Sequence, residues 1–456
     1  MRVAILDQSE ASWFAGEVFT RMQLACLSIA GPDSNDWIFF KRNAALEAPH
    51  WFKTLDLPDR NWASQMAELI KSHKIDVVFP LRDLGGSDFS CASIGWIPDF
   101  QHVHLPELFS LEQKKLRNEL FSQIARSCDK VLLSSHAVAA DFKSLLREWD
   151  KKIAVNPFPS LLWLEELNKN PEDTVKLYNL PKKYFLCINQ FWKHKNHMLL
   201  PSAIGRAAKD CSDIHLVLVG QLGDYRDPSN GNLSDLVQEI AIQRAPITIL
   251  GRLDRPKMLD LLRCSAGIIQ PSLCEGWSTT IEDAKALRIP VLCSDLPVHR
   301  EQIPTGFFFD PKSAESLAQV LSRAWVGLQA GPFPLEEVKA LGGARVAAER
   351  YGVACRKICQ QAKVKWESRM QERIEIIKNS DYFNLSRIGE CWLCIGEFLK
   401  LINPGSRLIG SPTLSNASLR SFEKVLSSRL IASRSLWVKI GRAFSFLPKK
   451  FSSKIC

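Results

Sequence analysis

Eight short, nearly unbroken apolar runs, each followed by residues at helical spacing, constrain this chain more than any other feature. The first series is "RVAILD" (Arg2 to Asp7), "DVVFP" (Asp76 to Pro80) and "KVLLSS" (Lys130 to Ser135). The second is "YFLCIN" (Tyr184 to Asn189), "IHLVLVG" (Ile214 to Gly220), "ITILGR" (Ile247 to Arg252), "AGIIQPS" (Ala266 to Ser272) and "PVLCSD" (Pro290 to Asp295). Strands that are apolar along both faces belong in a parallel sheet covered by helices on each side. From about Gly16, "EVFTRMQLACLSIA" has its apolar residues at helical spacing, as the crossover after the first strand requires. "IAVNPFPSLLW" (Ile153 to Trp163), with two prolines in three residues, reads as the linker between the series.

A chain of 456 residues is too long for one ordinary core, so two tandem doubly wound α/β domains are expected. Ligands of such domains bind at the carboxyl ends of the strands, in the crevice. The second domain is expected to end near Val353. The thirteen cysteines show no secreted-type framework, "MRVAILD" reads as a strand rather than a signal peptide, and no apolar run is long enough to span a membrane. A cytoplasmic protein with free thiols is expected. Cys391 and Cys394 of "CWLC" lack the second ligand pair that a closed zinc site needs. From Leu401 onward ten lysines and arginines face one acid, Glu423, so the tail holds nine of the ten net positive charges. A body so nearly neutral argues against nucleic acid as partner.

Two stretches carry candidate chemistry. "NQFWKHKNH" (Asn189 to His197) puts two lysines and two histidines at a strand exit, where they suit an anion such as a diphosphate or form a solvated basic turn. "QPSLCEGWSTTIEDAKALRIPVLCSD" (Gln270 to Asp295) holds Glu275, Glu282 and Asp283 around a loop that leads into a helix running from near Thr279 to Leu287. Amides at that helix start can hold an anion, and Gly276 lets the backbone approach a ligand. With Thr279 as N-cap, Glu282 closes a capping box, leaving Glu275 and Asp283 for a ligand; the alternative is Thr280 as N-cap with Asp283 in that place.

The second stretch resembles the signature of the retaining glycosyltransferases of family 4, in which two glutamates separated by seven residues follow a Pro-Ser strand exit. Here the pair is Glu275 and Asp283, the latter one methylene shorter. "NQFWKHKNH" resembles the family's diphosphate loop: Lys195 matches its lysine, and Gln190 stands where arginine is usual, as in a subset with Asn-Gln-Phe-Trp. "GWIPDFQHVHLPE" (Gly95 to Glu107) is similar to the same subset's histidine loop, and Gly16 matches the glycine of the loop after the first strand. The resemblance covers about Met1 to Glu367. It implies a GT-B architecture with an acceptor-side domain over 1–160, a donor domain with a return helix over 161–367, and a basic helical extension over 368–456.

The roles that the resemblance implies are these. Lys195, Lys193, Gln190, Gly16 and the amides near Thr279 hold the donor diphosphate, with Lys193 replacing the missing arginine. Glu275, with Gly276, Trp277 and Ser278, binds the hexose. Asp283 takes the ribose hydroxyls beside Glu282, and Arg252 and Leu253 lie near the base. His102 is the catalytic histidine contacting the donor sugar, and His104 is its neighbour. His194 and His197 are structural. Asp99 and Glu107 contact the acceptor or fold their loop. Charge builds on the departing diphosphate, so cations and helix amides serve without a metal, and no Asp-x-Asp is placed to hold one.

The expected activity is transfer of a hexose, mannose among the candidates, with retention. The donor is a GDP- or UDP-hexose, and the acceptor is a glycan or lipid-linked oligosaccharide in polysaccharide or O-antigen assembly. No other cofactor is expected. The rivals are a GT-B sugar-nucleotide epimerase and a catalytically degenerate scaffold. Within residues 425–454, Leu426, Leu430, Trp437, Ile440, Phe444 and Leu447 recur at three- to four-residue spacing apart from Arg429, Arg434 and Lys439. Such a basic amphipathic helix suits an anionic membrane surface, giving peripheral attachment at the inner face; the alternatives are a helix docked on the body or a disordered tail.

Overall fold

The computed structural model describes residues 1–9, 14–43, 46–57, 62–82, 89–160, 162, 167–223 and 231–378. The first sheet contains β1 (Arg2–Leu6), β2 (Asp36–Lys41), β3 (Lys53–Asp56), β4 (Val77–Leu81), β5 (Ala92–Ile97), β6 (Lys130–Leu133) and β7 (Ile153–Val155), in the order β3-β2-β1-β4-β5-β6-β7. The second contains β8 (Phe185–Ile188), β9 (Leu216–Val219), β10 (Ile247–Gly251), β11 (Gly267–Gln270), β12 (Val291–Ser294) and β13 (Phe307–Phe309), in the order β10-β9-β8-β11-β12-β13. Every pairing is parallel. The expected class is thus the observed one: two doubly wound domains, each reversing strand order beside its first strand, between β1 and β4 and between β8 and β11.

All eight expected strands are present. The linker reading began too early, because Ile153–Val155 form the edge strand β7 and the irregular chain starts at Asn156. The helices of the first domain are α1 (Phe14–Ile29), α2 (Trp62–Ser72), α3 (Gln101–His104), α4 (Leu111–Ser127) and α5 (His136–Leu145). Those of the second are α6 (Glu172–Leu177), α7 (Leu200–Ala207), α8 (Gly231–Gln243), α9 (Arg255–Cys264), α10 (Thr279–Ala286), α11 (Pro297–Gln302) and α12 (Ala314–Gly327). Side chains start several of them: Ser110 and Gln113 form a reciprocal capping box on α4, and Ser135 and Asp254 cap α5 and α9.

A long helix, α13 (Pro334–Lys378), leaves the second domain and returns across the first. Tyr351, Cys355, Cys359 and Ala362 join Val3, Leu24 and Leu27 in one core. A Cβ on Gly352 would lie 2.7 Å from the Cys26 carbonyl oxygen, so only glycine allows α13 to approach α1 this closely. The expected boundary at Glu367 falls inside this continuous helix. On the other side of the cleft, the Glu301 carboxylate of α11 accepts the His136 and Ala137 amides at 2.9 and 3.1 Å, so the second domain caps a helix of the first.

The ten cysteines within the described residues are free and buried. Among the described residues no helix is long and apolar enough to cross a membrane. Cys391, Cys394 and the amphipathic stretch 425–454 lie outside the described residues.

Candidate active site

Both switch points open onto one cleft of about 1710 Å³ between the domains. From the first domain it is lined by Asp7, Gln8 and Ser9 after β1, Arg82 after β4, and Pro98 and Asp99 after β5. From the second it is lined by Asn189, Gln190, Trp192, His194 and Lys195 after β8, Gln221 after β9, Arg252 to Arg255 after β10, and Glu275 to Thr280 after β11. The β1 end is held rigid: Asp7 accepts amides from Ser9, Arg42 and Asn43 at 2.8, 2.9 and 2.8 Å.

The centre is an ion pair between Lys195 Nζ and Glu275 Oε1, 2.6 Å apart, with side chains only 16% and 9% exposed. The same carboxylate oxygen accepts the Ser272 hydroxyl at 2.6 Å and Gln270 Nε2 at 2.9 Å. Gln270 is fixed in turn by a reciprocal amide contact with Asn189, 3.1 and 3.2 Å. The ends of β8 and β11 therefore aim one cation and one carboxylate into the cleft. An ammonium carries three donors and the pair uses one, so Lys195 can meet phosphate oxygens while keeping Glu275.

The helix that follows starts at Thr279, as expected, but its N-cap lies one residue earlier than the expected one. Neither Thr279 nor Thr280 is the N-cap: Ser278 accepts the Ile281 amide on its hydroxyl, and no Thr279–Glu282 box forms. Thr280 instead donates its hydroxyl to the Ile188 carbonyl at 2.9 Å, tying α10 to β8, and Thr279 lines the cleft at the helix start. Glu282 accepts from Lys285 Nζ at 2.7 Å and Gln302 Nε2 at 3.0 Å, and Gln302 also binds the Ser278 amide and carbonyl. Burial raises the Glu282 pKa, against the opposing pull of Lys285. Glu282 lines the cleft, and its bonds tie α10 to α11 in place of the expected capping box. Glu282→Gln keeps an acceptor for both partners, so donor turnover should stay within about twofold and stability within about 1 kcal/mol of the parent, by steady-state assay and urea titration.

Several expectations need correction. Asp283 lines the cleft but its carboxylate is already engaged: it is 7% exposed, paired to both terminal nitrogens of Arg255 at 2.8 and 2.9 Å, and bonded by the Ser160 hydroxyl. Gly276 does face a backbone, but that of Pro98 across the cleft, whose oxygen a Cβ would approach to 1.9 Å. Trp277 lines the cleft with its indole N–H committed to the Phe158 carbonyl at 2.8 Å. Gly16 lies in the first turn of α1 rather than in a loop, with its carbonyl accepting the Thr20 hydroxyl at 3.0 Å. Lys193 is exposed and does not line the cleft, whereas the buried His194 does. Residues 193–195 form a single 3-10 turn, so Lys193 and Lys195 project differently. Arg252 and Leu253 line the cleft.

His102 is a core residue in this geometry. Its Nε2 meets Asn118 Oδ1 at 2.8 Å, its Nδ1 accepts from Arg117 Nε at 3.2 Å, and its ring packs against Phe121 and Phe109. Burial lowers its pKa, which favours the neutral imidazole that this bonding pattern needs. The cleft position belongs instead to Asp99, whose Oδ1 accepts Arg117 at 2.7 Å and the Gln101 amide at 3.0 Å. His104 pairs with Asp141 at 2.8 Å, and Glu107 lies exposed in a short 3-10 turn outside the cleft lining.

His197 is structural, as expected. It stacks on Phe191 at 4.4 Å, and burial drives its pKa down from 6.5 to about 3. The folded protein thus binds fewer protons here than the unfolded chain between those values. The contribution is intact above pH 6.5 and is lost as pH falls below it, by up to about 1.4 kcal/mol per pH unit. His197→Phe, which preserves the stacking, should lose that share of the acid slope in urea titrations from pH 7 to pH 4.

Sequence reasoning missed Arg255, Ser160 and Gln302. Arg255 and Gln302 come from helices that no motif marked, and Ser160 from the linker. Among the described residues no group of three or more histidines, cysteines or carboxylates could hold a metal.

Residues 169–325 match a family model described as "Glycosyl transferases group 1". The chain is 23% identical over 224 residues to the O-antigen chain mannosyltransferase RfbU of Salmonella typhimurium; the match covers 48% of this chain and 58% of that relative. Among solved structures it is similar to a sucrose-phosphate synthase from Thermosynechococcus elongatus (TM-score 0.58, 16% identity, 79% of this chain and 98% of that one). It is also similar to Anabaena Alr3699/HepE in complex with UDP and glucose (TM-score 0.55, 13% identity, 81% and 100%). The second domain is a glycosyltransferase group 1 domain, and the described body has the GT-B architecture.

Proposed function

We propose that the chain is a retaining glycosyltransferase that moves a hexose from a nucleoside-diphosphate sugar to a glycan or lipid-linked acceptor. The observation that carries this reading is the buried Lys195–Glu275 pair at the β8/β11 switch point, beside the start of α10. Lys195 and the α10 amides near Thr279 stabilise the charge that grows on the departing diphosphate, and Glu275 orients the sugar hydroxyls. The acceptor attacks the face that the diphosphate leaves, and its hydroxyl proton passes to a diphosphate oxygen. Retention then needs no covalent enzyme intermediate, and the protein supplies position and fixed charge. In this reading Asp99, which lines the cleft across from Gly276, contacts the acceptor.

Similarity to an O-antigen chain mannosyltransferase supports mannose as the hexose and polysaccharide or O-antigen assembly as the setting, with a GDP- or UDP-hexose as the donor of this reading. A lipid-linked acceptor would suit attachment of the basic 425–454 stretch to the inner face of an anionic membrane. The test is a thermal-shift screen against GDP- and UDP-hexoses. A donor at a hundredfold excess over its Kd adds about 2.7 kcal/mol to the folded state, so one nucleotide should raise the midpoint by several degrees. A flat response to both series would reject the reading.

A further inference from the structure

We propose that Arg255 is a ligand of the donor diphosphate, held over the first turn of α10 by Asp283, which acts as a positioning residue. The inference rests on the reading of the cleft as a nucleotide-sugar site and adds to it the second cation that the β8 loop lacks. In that loop Gln190 occupies the place where the resemblance expects arginine, and Lys193 is not among the residues lining the cleft, which leaves Lys195 as the cleft-lining lysine of the loop. Arg255 opens α9 immediately after the N-cap Asp254 and lines the same cleft.

Its guanidinium is fixed by two-point pairing to Asp283, and the nearly buried carboxylate also accepts the Ser160 hydroxyl. Side chains on a helix lean toward its amino terminus, so Asp283, four residues beyond Thr279, brings Arg255 back over the turn whose amides face the cleft. A planar guanidinium can rest one edge on a carboxylate and offer another to phosphate, which an ammonium cannot do with comparable geometric definition. A ribose would have to compete with that charge-assisted pair for Asp283, so both departures from the expected pattern, Gln190 and Asp283, are accounted for together.

The experiment is calorimetric titration of the full chain with UDP and GDP and with their 2′-deoxy and 3′-deoxy counterparts, for the parent, Arg255→Gln and Asp283→Asn. Arg255→Gln should weaken the preferred nucleoside diphosphate roughly tenfold or more. Asp283→Asn should weaken the ribose and deoxyribose forms by the same factor, because it acts through Arg255. Undiminished affinity in Arg255→Gln would overturn its assignment. A loss in Asp283→Asn confined to the ribose forms would restore Asp283 as the ribose ligand and overturn its positioning role. Should Arg255→Gln not fold, Arg255→Lys keeps the charge without the two-point hold: a weaker diphosphate affinity supports the inference and an unchanged one overturns it. If the parent binds neither UDP nor GDP, the functional reading fails, and this inference fails with it.

Discussion

Lys195→Ala should lower donor turnover by about 10²- to 10³-fold, the scale on which a fixed donor to developing negative charge acts. Two effects combine in that loss. The diphosphate loses its nearest ammonium, and Glu275 is left with an uncompensated carboxylate that repels an anionic ligand. Glu275 is also 9% exposed, so water can replace the lost partner only in part. Nucleotide affinity should fall as well, which calorimetry separates from the rate effect. Lys195→Arg keeps the charge but not the compact head that pairs with Glu275 at the cleft wall, so it should recover binding more fully than turnover.

Arg263→Ala should cost about 3 to 5 kcal/mol of stability, the largest loss expected from a single change remote from the cleft. Arg263, in α9, donates through Nε and a terminal nitrogen to Glu337 at 3.1 and 2.9 Å and to the Asn168 carbonyl at 2.6 Å. Both charged side chains are under a tenth exposed, at 7% and 5%. Glu337 lies in the first turn of α13, so the pair anchors the returning helix to the second domain before it reaches the first. Truncating the arginine strands a buried carboxylate and an orphaned carbonyl. The double change Arg263→Met with Glu337→Leu removes both charges and should recover most of the loss. Urea titration gives the numbers, and unchanged nucleotide affinity in the double variant would place the effect in the scaffold.

Much of the fold was legible because a parallel sheet leaves an unambiguous trace: strands buried on both faces are apolar throughout, and all eight such runs proved to be strands. The strands left unassigned are of two kinds. β3, with the pattern Lys-Thr-Leu-Asp, and the three-residue β7 and β13 lie at sheet edges, where little apolar surface needs cover, whereas β2 and β5 are buried interior strands that the reading of apolar runs passed over. The site was legible where backbone placed it. Lys195 and Glu275 fall at strand exits, and strand exits can be counted from sequence. What spacing could not reveal was each side chain's company. His102 lies in the right loop, but its ring is claimed by Arg117 and Asn118, two residues of a helix that no motif marked. Ser278 and Thr279 are both competent caps, and only the loop conformation chooses between them. Asp283 kept the expected interval yet gained Arg255, because a carboxylate at that depth needs a cation and α9 supplies one.

The most direct test of the central claim is release of nucleoside diphosphate from GDP- and UDP-hexoses by the purified chain without an added acceptor. The account predicts slow release from one donor, abolished by Lys195→Ala and retained by Glu282→Gln. It would be contradicted by recovery of the donor as an epimerised sugar nucleotide with no diphosphate freed, or by release that is indifferent to Lys195.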